Sequence, residues 1–241
     1  MKLVIDVGNT QTKAGFFENK KLFEVIVFSA LSVEWIDNIK LKYPTINNVI
    51  ISSVGNISHE IIDFLKSKFN LIEFSQTTAI PVLNLYKSPE TLGKDRLAGV
   101  IAAHSLYLNE NVLVIDAGTC ITYDMVSAKG EYKGGGISPG FIMRFKSLHT
   151  FTSKLPLISL ADYNELIGTD TKTSILSGVI NGICAEIDGI INMYQLDFEP
   201  LRVIVCGGDA KFLANRLKNS IFAVPELVLI GLNEIIDYNE K

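Results

Sequence analysis

The hydrophobic pattern of the chain occurs in two copies. The apolar runs at residues 3–7 and 112–116 each predict a buried strand, and each ends in an Asp–x–Gly turn. The first copy reads DVGNTQTK and the second reads DAGT. A repeated strand and turn predicts a duplicated α/β fold. The boundary is placed after residue 111, which gives an N-terminal half of 1–111 and a C-terminal half of 112–241.

The spacing of apolar residues also predicts the elements between and after these strands. A hairpin is predicted at 12–17 and 22–28, and further strands at 47–55, 121–127, 130–133 and 201–206. Helices are predicted at 32–43, 57–69, 94–108, 141–149, 171–194, 210–219 and 232–238. The glycine-rich segment 134–140 is predicted to separate a strand from a helix, with its backbone packed tightly against a nucleotide or substrate cleft.

The amino-acid composition of the chain argues against several classes of protein. The 241 residues are 48% hydrophobic and carry a net charge of −4, so no global basic field favours nucleic acid. The sequence predicts no membrane span, because no apolar run reaches about 18 residues, and it predicts no secretory leader. Three scattered cysteines without a CxxC pair favour neither a disulfide framework nor a zinc site. We therefore expect a cytoplasmic protein without a structural metal.

The first Asp–x–Gly turn has the residue types of a phosphate site. Gly8 permits a tight turn and lets backbone N–H groups approach an anion. Asp6 would repel a bare phosphate, so its presence favours a cation such as Mg²⁺ held through water and phosphate oxygens. The polar members of the turn are Asn9, Thr10, Thr12 and Lys13. The alternative is a β-hairpin with ordinary polar turn residues.

Two further turns strengthen the phosphate interpretation. Thr119, in the second Asp–x–Gly turn, can offer a hydroxyl to the outer phosphates, while Asp116 could be a second Mg²⁺ ligand. Gly207 and Gly208 follow an apolar strand and leave room for a flat group against the backbone. A plain strand-to-helix turn is the alternative for this glycine pair.

The segment LGKDRLAG, residues 92–99, suggests a binding site for the acceptor of a phosphoryl group. Asp95 could be the general base that takes a proton from an attacking hydroxyl, and Arg96 could bind a substrate carboxylate through two hydrogen bonds. From the local sequence alone, a carboxylate that caps the helix N-terminus is the commoner role for a residue such as Asp95.

Four motifs, DVGNTQTK, GKDRLAG, DAGTCITYD and GGGISPG, occur in an order that resembles type III pantothenate kinase. This family belongs to the acetate/sugar kinase, Hsp70 and actin superfamily. The resemblance implies an α/β fold of two ribonuclease-H-like halves with ATP in an interdomain cleft. It also implies ATP-dependent phosphorylation of pantothenate to 4'-phosphopantothenate, the first step of coenzyme A biosynthesis. A homodimer that binds neither nucleic acid nor membrane is expected.

The resemblance also assigns roles to individual residues. ATP is expected to contact Asp6, Val7, Gly8, Asn9, Thr10, Gln11, Thr12, Lys13 and Thr119. Pantothenate is expected to contact Tyr86, Gly93, Lys94, Asp95, Arg96 and Thr171, with Asp95 catalytic. Asp116 is expected to bind a monovalent cation, K⁺ or NH₄⁺, and Asp6 to hold Mg²⁺ through water.

Two alternatives remain beside this hypothesis. One is a kinase of the same superfamily that acts on another small molecule, which would not require Asp95 and Arg96 together with Tyr86 and Thr171. The other is a non-catalytic nucleotide-binding regulator, which would be expected to lack Asp95 or Lys13.

Overall fold

The computed structural model describes residues 1–8, 11–53, 55 and 57–240. The chain forms two compact units. The first unit comprises residues 1–108, 130–132 and 226–241, and the second comprises residues 109–129 and 133–225.

The first unit is built on a five-stranded sheet. Its order is β3-β2-β1-β4-β5, with β1, β2 and β3 antiparallel and β1, β4 and β5 parallel. The strands are β1 (Lys2–Val7), β2 (Thr12–Glu18), β3 (Lys21–Phe28), β4 (Asn48–Ser53) and β5 (Asn70–Glu73).

Helices pack on this sheet because packing removes their apolar side chains from water. The helices α1 (Val33–Lys42) and α2 (His59–Lys68) bury Ile36 and Leu65 in one core with Leu3 and Ile5 of β1. The helix α3 (Lys94–Leu106) follows a 3₁₀ turn at Pro89–Thr91.

The second unit repeats the topology of the first. Its strands, in the order β11-β10-β7-β8-β9, include an antiparallel pair β7–β8 and parallel neighbours β7, β10 and β11. The strands are β7 (Asn111–Ala117), β8 (Cys120–Val126), β9 (Glu131–Pro139), β10 (Leu201–Cys206) and β11 (Phe222–Ala223). The short strand β6 (Leu83–Asn84) pairs with Glu131 and Tyr132 at the start of β9.

Three helices pack in the second unit. They are α4 (Phe141–Thr150), α5 (Thr171–Asp197) and α6 (Ala210–Ala214). The core joins Phe141 and Phe145 of α4 to Ile183 and Ile187 of α5 over the strands β7, β8 and β10. The expected duplicated α/β fold is thereby confirmed, because the two sheets share one strand order.

The limits of the first unit differ from the predicted boundary. The last helix, α7 (Leu227–Asn239), lies in the first unit, where it packs against α3 and β1. Gly231 allows the close approach, since a Cβ there would overlap the carbonyl oxygen of Ala98. The prediction had placed residues 226–241 in the C-terminal half.

Several predicted elements differ in length from those in the structure, β9 and α6 among them. The strand predicted at 130–133 continues to Pro139, so most of the glycine-rich segment is strand and not a loop. Gly135 makes this possible, because its backbone packs directly on the backbone of Tyr123 in β8. The helix predicted at 210–219 is shorter, because α6 ends at Ala214. Beyond it, the Asp188 carboxylate accepts the N–H groups of Lys218 and Asn219, which therefore do not continue the helix.

The helix α5 is long and apolar enough, by length and composition, to cross a membrane. Among the described residues it is the one helix that passes this test. Its buried side chains include Ile180, Ile183, Ile187 and Ile191, which lie in the core of the second unit. We therefore interpret α5 as a core helix, consistent with the prediction of no membrane span.

The glycine contact between α7 and α3 gives a stability prediction. Gly231→Ala should lower the free energy of unfolding by roughly 1–3 kcal/mol, because the added methyl group must displace backbone. Gly189→Ala is the matched control, since a Cβ on this α5 glycine meets nothing within 4 Å. The control should be neutral or stabilising by up to about 1 kcal/mol. Equal urea unfolding curves for the two variants would contradict the packing argument.

Candidate functional site

The first Asp–x–Gly turn joins two antiparallel strands. Asp6 lies near the end of β1, opposite Lys13 of β2 on one side and Ser52 of β4 on the other. The N–H of Gly8 donates to the carbonyl oxygen of Gln11 at 3.1 Å, which closes the turn. Asn9 and Thr10, which separate Gly8 from Gln11 in the sequence, lie outside the described residues.

The remaining predicted residues of this turn lie in the strands. Val7 pairs with Thr12 in register, and the side chain of Thr12 is buried. The Lys13 ammonium lies 3.3 Å from the carboxylate of Glu226, the residue that precedes α7. The structure therefore gives Lys13 a carboxylate partner beside the turn, and a phosphate would have to compete with it.

The second Asp–x–Gly turn occupies the equivalent place in its own sheet. Asp116 lies opposite Thr122 of β8 and Cys206 of β10, just as Asp6 lies between β2 and β4. The N–H of Gly118 donates to the carbonyl oxygen of Cys120 at 2.9 Å, and Thr119 is exposed at the tip. Each sheet thus ends its central strand with a carboxylate and a tight glycine turn.

Each of the two aspartates pairs in register with a residue whose hydroxyl is buried. Within the described part of the chain, Ser52 Oγ and Thr122 Oγ1 are buried without a hydrogen-bond partner. Ser52 is in register with Asp6, and Thr122 is in register with Asp116. A buried hydroxyl normally finds a partner. A carboxylate with a hydroxyl beside it offers the hard oxygen ligands that Mg²⁺ and similar cations prefer.

The backbones of two glycines pack against the second turn. The N–H of Gly140 donates to the carbonyl oxygen of Thr119 at 3.1 Å, and a Cβ on Gly140 would overlap the carbonyl oxygen of Gly118. Gly207, with a φ of +85°, packs against Asp116 so closely that a Cβ would overlap its carboxylate. Gly140, in the segment 134–140, is therefore packed closely on the backbone of this turn, and the predicted packing of that segment against a ligand cleft stays a prediction.

Gly208 borders an open cavity of about 520 Å³ in the second unit. A Cβ on Gly208 would meet nothing within 4 Å, so the glycine leaves backbone exposed to the cavity. The guanidinium of Arg216 lies 3.7 Å from the centre of the Phe212 ring in the same wall. Burial raises the pKa of Asp209, which also lines the cavity. The structure therefore leaves open space at Gly208 but not at Gly207, where a Cβ would overlap Asp116 and Ala117, and a flat ligand at this turn stays a prediction.

The start of α3 brings together most of the predicted acceptor residues. Gly93 is the residue before the helix, and Asp95 accepts a hydrogen bond from the N–H of Arg96 at 2.8 Å. A Cβ on Gly93 would lie 2.5 Å from the Asp95 carboxylate, so glycine makes room for that carboxylate. Arg96 is only 8% exposed, and its guanidinium lies 5.7 Å from the centre of the Tyr86 ring.

Lys94 and Thr171 each line a cavity. Lys94 lines a separate cavity of about 340 Å³ with Ser53 and His59. Thr171 is the first residue of α5 and is exposed at the edge of a cavity of about 710 Å³ between α4 and α5. The N-cap of α5 is Asp170, which accepts the N–H of Thr173 at 2.8 Å in a capping box.

A polar network beside the second turn was not predicted from the sequence. Arg144 of α4 donates to Glu186 of α5 at 2.6 Å, and Tyr123 of β8 donates its hydroxyl to the same carboxylate at 3.1 Å. Burial alone would raise the pKa of Glu186, but hydrogen bonds from Ser138 and Arg144 and the charge of Arg144 bring it below its ordinary value. The only sequence signal is the position of Arg144 one helical turn after Gly140.

Sequence comparison with known proteins identifies relatives of this chain. A profile of the family described as Type III pantothenate kinase matches residues 2–193. A protein of that name from Christiangramia forsetii is 47% identical over 241 residues, which cover 100% of this chain and 99% of the relative. Another of that name, from Phocaeicola vulgatus, is 46% identical and is matched over 100% of both chains.

Solved structures share the fold at low sequence identity. A conserved Campylobacter jejuni protein named for the Baf family of transcriptional activators is 24% identical, with a TM-score of 0.59 over 99% of this chain and 98% of that one. A ROK family glucokinase from Streptomyces griseus is 9% identical, with a TM-score of 0.55 over 98% of this chain and 99% of that one. These similarities support an actin-like ATPase fold.

The backbone of the Gly-Gly turn gives a matched pair of variants. Gly207→Ala should lower the free energy of unfolding by roughly 1–3 kcal/mol, because its positive φ and its contact with Asp116 both exclude a Cβ. Gly208→Ala, one residue later, adds its methyl group to open space and should change stability by less than about 0.5 kcal/mol. Chemical denaturation of both variants tests this, and a Gly207→Ala protein as stable as Gly208→Ala would contradict it.

Proposed function

This chain belongs to the type III pantothenate kinase family, and from that premise we propose how its residues perform the family's reaction. The reaction is the ATP-dependent phosphorylation of pantothenate in coenzyme A biosynthesis, so the protein is a phosphotransferase. The observation that carries the residue-level proposal is the placing of Asp6 and Asp116 at equivalent positions of two equivalent sheets.

The first turn is proposed to bind phosphate groups of ATP. The backbone N–H of Gln11 and the side chains of the turn supply donors, while the N–H of Gly8 closes the turn; Thr10 is assigned on the family resemblance alone. Val7 and Thr12 hold the two strands together below the turn. A divalent metal is typical of kinases, and the Asp6 carboxylate beside the Ser52 hydroxyl fits Mg²⁺ bound partly through water. Bound there, Mg²⁺ would offset phosphate charge.

Lys13 is proposed to exchange Glu226 for a phosphate oxygen. Both side chains of the pair are about one-third exposed, at 31% each, so the ion pair contributes little stability and is easily broken. A lysine is a compact point charge on a flexible stem, which suits such an exchange. The register of Lys13 opposite Asp6 keeps the ammonium beside the turn in either arrangement.

The second turn is proposed to contribute Thr119 to ATP binding and Asp116 to a monovalent cation, K⁺ or NH₄⁺. The unpartnered hydroxyl of Thr122 opposite Asp116 fits a cation that accepts several oxygen ligands. Gly118 supplies a turn without a side chain at the approach to the phosphates. A monovalent cation there would balance phosphate charge without requiring octahedral geometry.

The start of α3 is proposed to bind pantothenate and to activate it. Asp95 takes the proton of the pantothenate hydroxyl while that oxygen attacks the γ-phosphorus, and the bond from the γ-phosphorus to the β-phosphate oxygen breaks to release ADP. Arg96 is oriented by burial and by the Tyr86 ring to bind the pantothenate carboxylate. Gly93 leaves room for the Asp95 carboxylate, and a contact of Lys94 with pantothenate is assigned on the family resemblance alone.

The two alternative functions have less support. The regulator hypothesis would be expected to lack Asp95 or Lys13, and the chain retains both. The Campylobacter jejuni protein named as an activator is 24% identical and shows only the fold. A kinase for another small molecule would not require the Asp95–Arg96–Tyr86 group, and relatives matched over their whole length carry the pantothenate kinase name.

A homodimer is proposed from the surface around Thr171. Phe151, Leu166 and Ile167 are at least three-quarters exposed, with 86%, 77% and 76% of their surface accessible. Large apolar side chains exposed to this degree favour a surface that is covered by a partner. The same surface would bring Thr171 to a pantothenate site, as the family resemblance implies. Cytoplasmic localisation is proposed because the relatives are bacterial enzymes named for a metabolic reaction.

Asp95→Asn tests the catalytic proposal. The amide can still accept the N–H of Arg96, so the fold should persist, but it cannot accept the hydroxyl proton. Turnover of ATP with pantothenate should fall by roughly 10²–10⁴-fold while nucleotide affinity is retained. Glu60→Gln is the control, because Glu60 is the second residue of α2 just as Asp95 is the second of α3. An Asp95→Asn enzyme as active as the control would assign the chemistry to another base.

The cation proposal predicts that turnover depends on the monovalent cation supplied. At fixed ionic strength, turnover should be at least several-fold higher in KCl or NH₄Cl than in choline chloride, because a bulky cation cannot enter beside Asp116. Asp116→Asn should remove most of this difference, since it removes the charge that holds the cation. Equal initial rates of the wild-type enzyme in all three salts would contradict the role of Asp116.

A further inference from the structure

The proposed reaction gives no role to the polar network of Arg144, Glu186, Ser138 and Tyr123. All four residues lie in the second unit, on α4, α5, β9 and β8 respectively. Three of the elements end or begin close to the second turn: β8 starts one residue after Thr119, and β9 and α4 meet at Gly140. A network that joins these elements can therefore act on the geometry of the turn.

Arg144 holds the chain immediately before Gly140. Its Nε donates to the carbonyl oxygen of Pro139 at 2.8 Å, and its Nη2 donates to Ser138 Oγ at 3.0 Å. Its own N–H donates to the carbonyl oxygen of Gly140 at 3.1 Å, which is the first turn of α4. The planar guanidinium thus fixes residues 138–140 from one side through several bonds whose directions are set by its shape.

Glu186 holds Arg144 in that position. One carboxylate oxygen accepts Nη2 of Arg144 at 2.6 Å, and the other accepts the hydroxyl of Tyr123 at 3.1 Å. Both charged side chains are about three-quarters covered, at 22% and 27% exposure, so the pair is less screened than one on the surface. Glu186 belongs to the long core helix α5, which is a rigid support.

The contact from Gly140 to the second turn completes the connection. The N–H of Gly140 donates to the carbonyl oxygen of Thr119, and its Cα lies against Gly118 with no room for a side chain. A shift of residues 138–140 must therefore move the turn or break this contact, because closely packed backbone atoms cannot be compressed.

We infer that Arg144 and Glu186 are positioning residues for the Asp116–Thr119 turn, which they hold in its nucleotide-binding geometry through Ser138, Pro139 and Gly140. The inference rests on the proposed ATP-binding role of this turn. Neither residue is assigned a contact with a substrate. Loss of the ion pair should therefore weaken nucleotide binding more than pantothenate binding, although Arg144 also lines the cavity that contains Thr171.

The experiment compares two arginine–glutamate pairs of the same unit. Glu186→Gln breaks the pair under study, and Glu110→Gln breaks the pair of Glu110 with Arg202, which has a similar distance of 2.7 Å but lies at the opposite ends of the strands from the turn. Nucleotide affinity is measured by calorimetry with a non-hydrolysable ATP analogue, and KM is measured for ATP and for pantothenate. Thermal unfolding is followed on the same samples.

The expected result is a loss of nucleotide affinity of roughly 10- to 100-fold for Glu186→Gln, with the pantothenate KM within twofold of wild type. Arg144→Lys should show the same loss, and the double variant should add little to it, because both changes act through one connection. Glu110→Gln should bind nucleotide like wild type. All four proteins should melt within a few degrees of one another.

Three results would overturn the inference. Glu186→Gln and Glu110→Gln could bind nucleotide equally well, or the loss could fall on the pantothenate KM instead. Alternatively, both Glu186→Gln and Arg144→Lys could fail to fold while Glu110→Gln folds, which would make the pair a structural element only. Because calorimetry needs no acceptor, a wild-type protein that binds the analogue without phosphorylating pantothenate would refute the proposed function and leave this comparison valid.

Discussion

Each of the two sheets ends its central strand in a carboxylate, and this constraint organises the surrounding structure. A carboxylate next to a phosphate site is repulsive unless a cation lies beside it, because two like charges a few ångströms apart in a partly dry site interact by several kcal/mol. In the proposed site, Asp6 and Asp116 would therefore each need a cation beside the phosphates. The buried hydroxyls of Ser52 and Thr122, each in register with its aspartate, lie where such cations would be coordinated.

The requirement for close backbone approach explains where the glycines are placed. In the second unit, Gly140 and Gly207 contact the Asp116 turn where any side chain would overlap it. In the first unit, Gly93 leaves space for the Asp95 carboxylate at the start of α3. Backbone packed on backbone transmits small displacements, so the polar network around Arg144 and Glu186 can influence a turn that neither residue is seen to touch.

Much of this could be predicted from the sequence. The duplicated strand and turn predicted the repeated α/β fold, and four motifs predicted the family, which is confirmed. The sequence could not predict that α7 packs with the first unit, because that depends on the fit of Gly231 against Ala98, residues far apart in the chain. It also missed the Arg144–Glu186 pair, because α4 and α5 meet only in the fold. The site residues themselves stay predictions.

The central claim is that this chain transfers the γ-phosphoryl group of ATP to the hydroxyl of pantothenate. The most direct measurement is a ³¹P NMR time course of the purified protein with ATP, Mg²⁺, K⁺ and pantothenate. The account predicts a new phosphomonoester signal that grows in equal amount with ADP, and no such signal when glucose replaces pantothenate. Release of ADP and inorganic phosphate without a phosphomonoester, or phosphorylation of glucose alone, would contradict the claim.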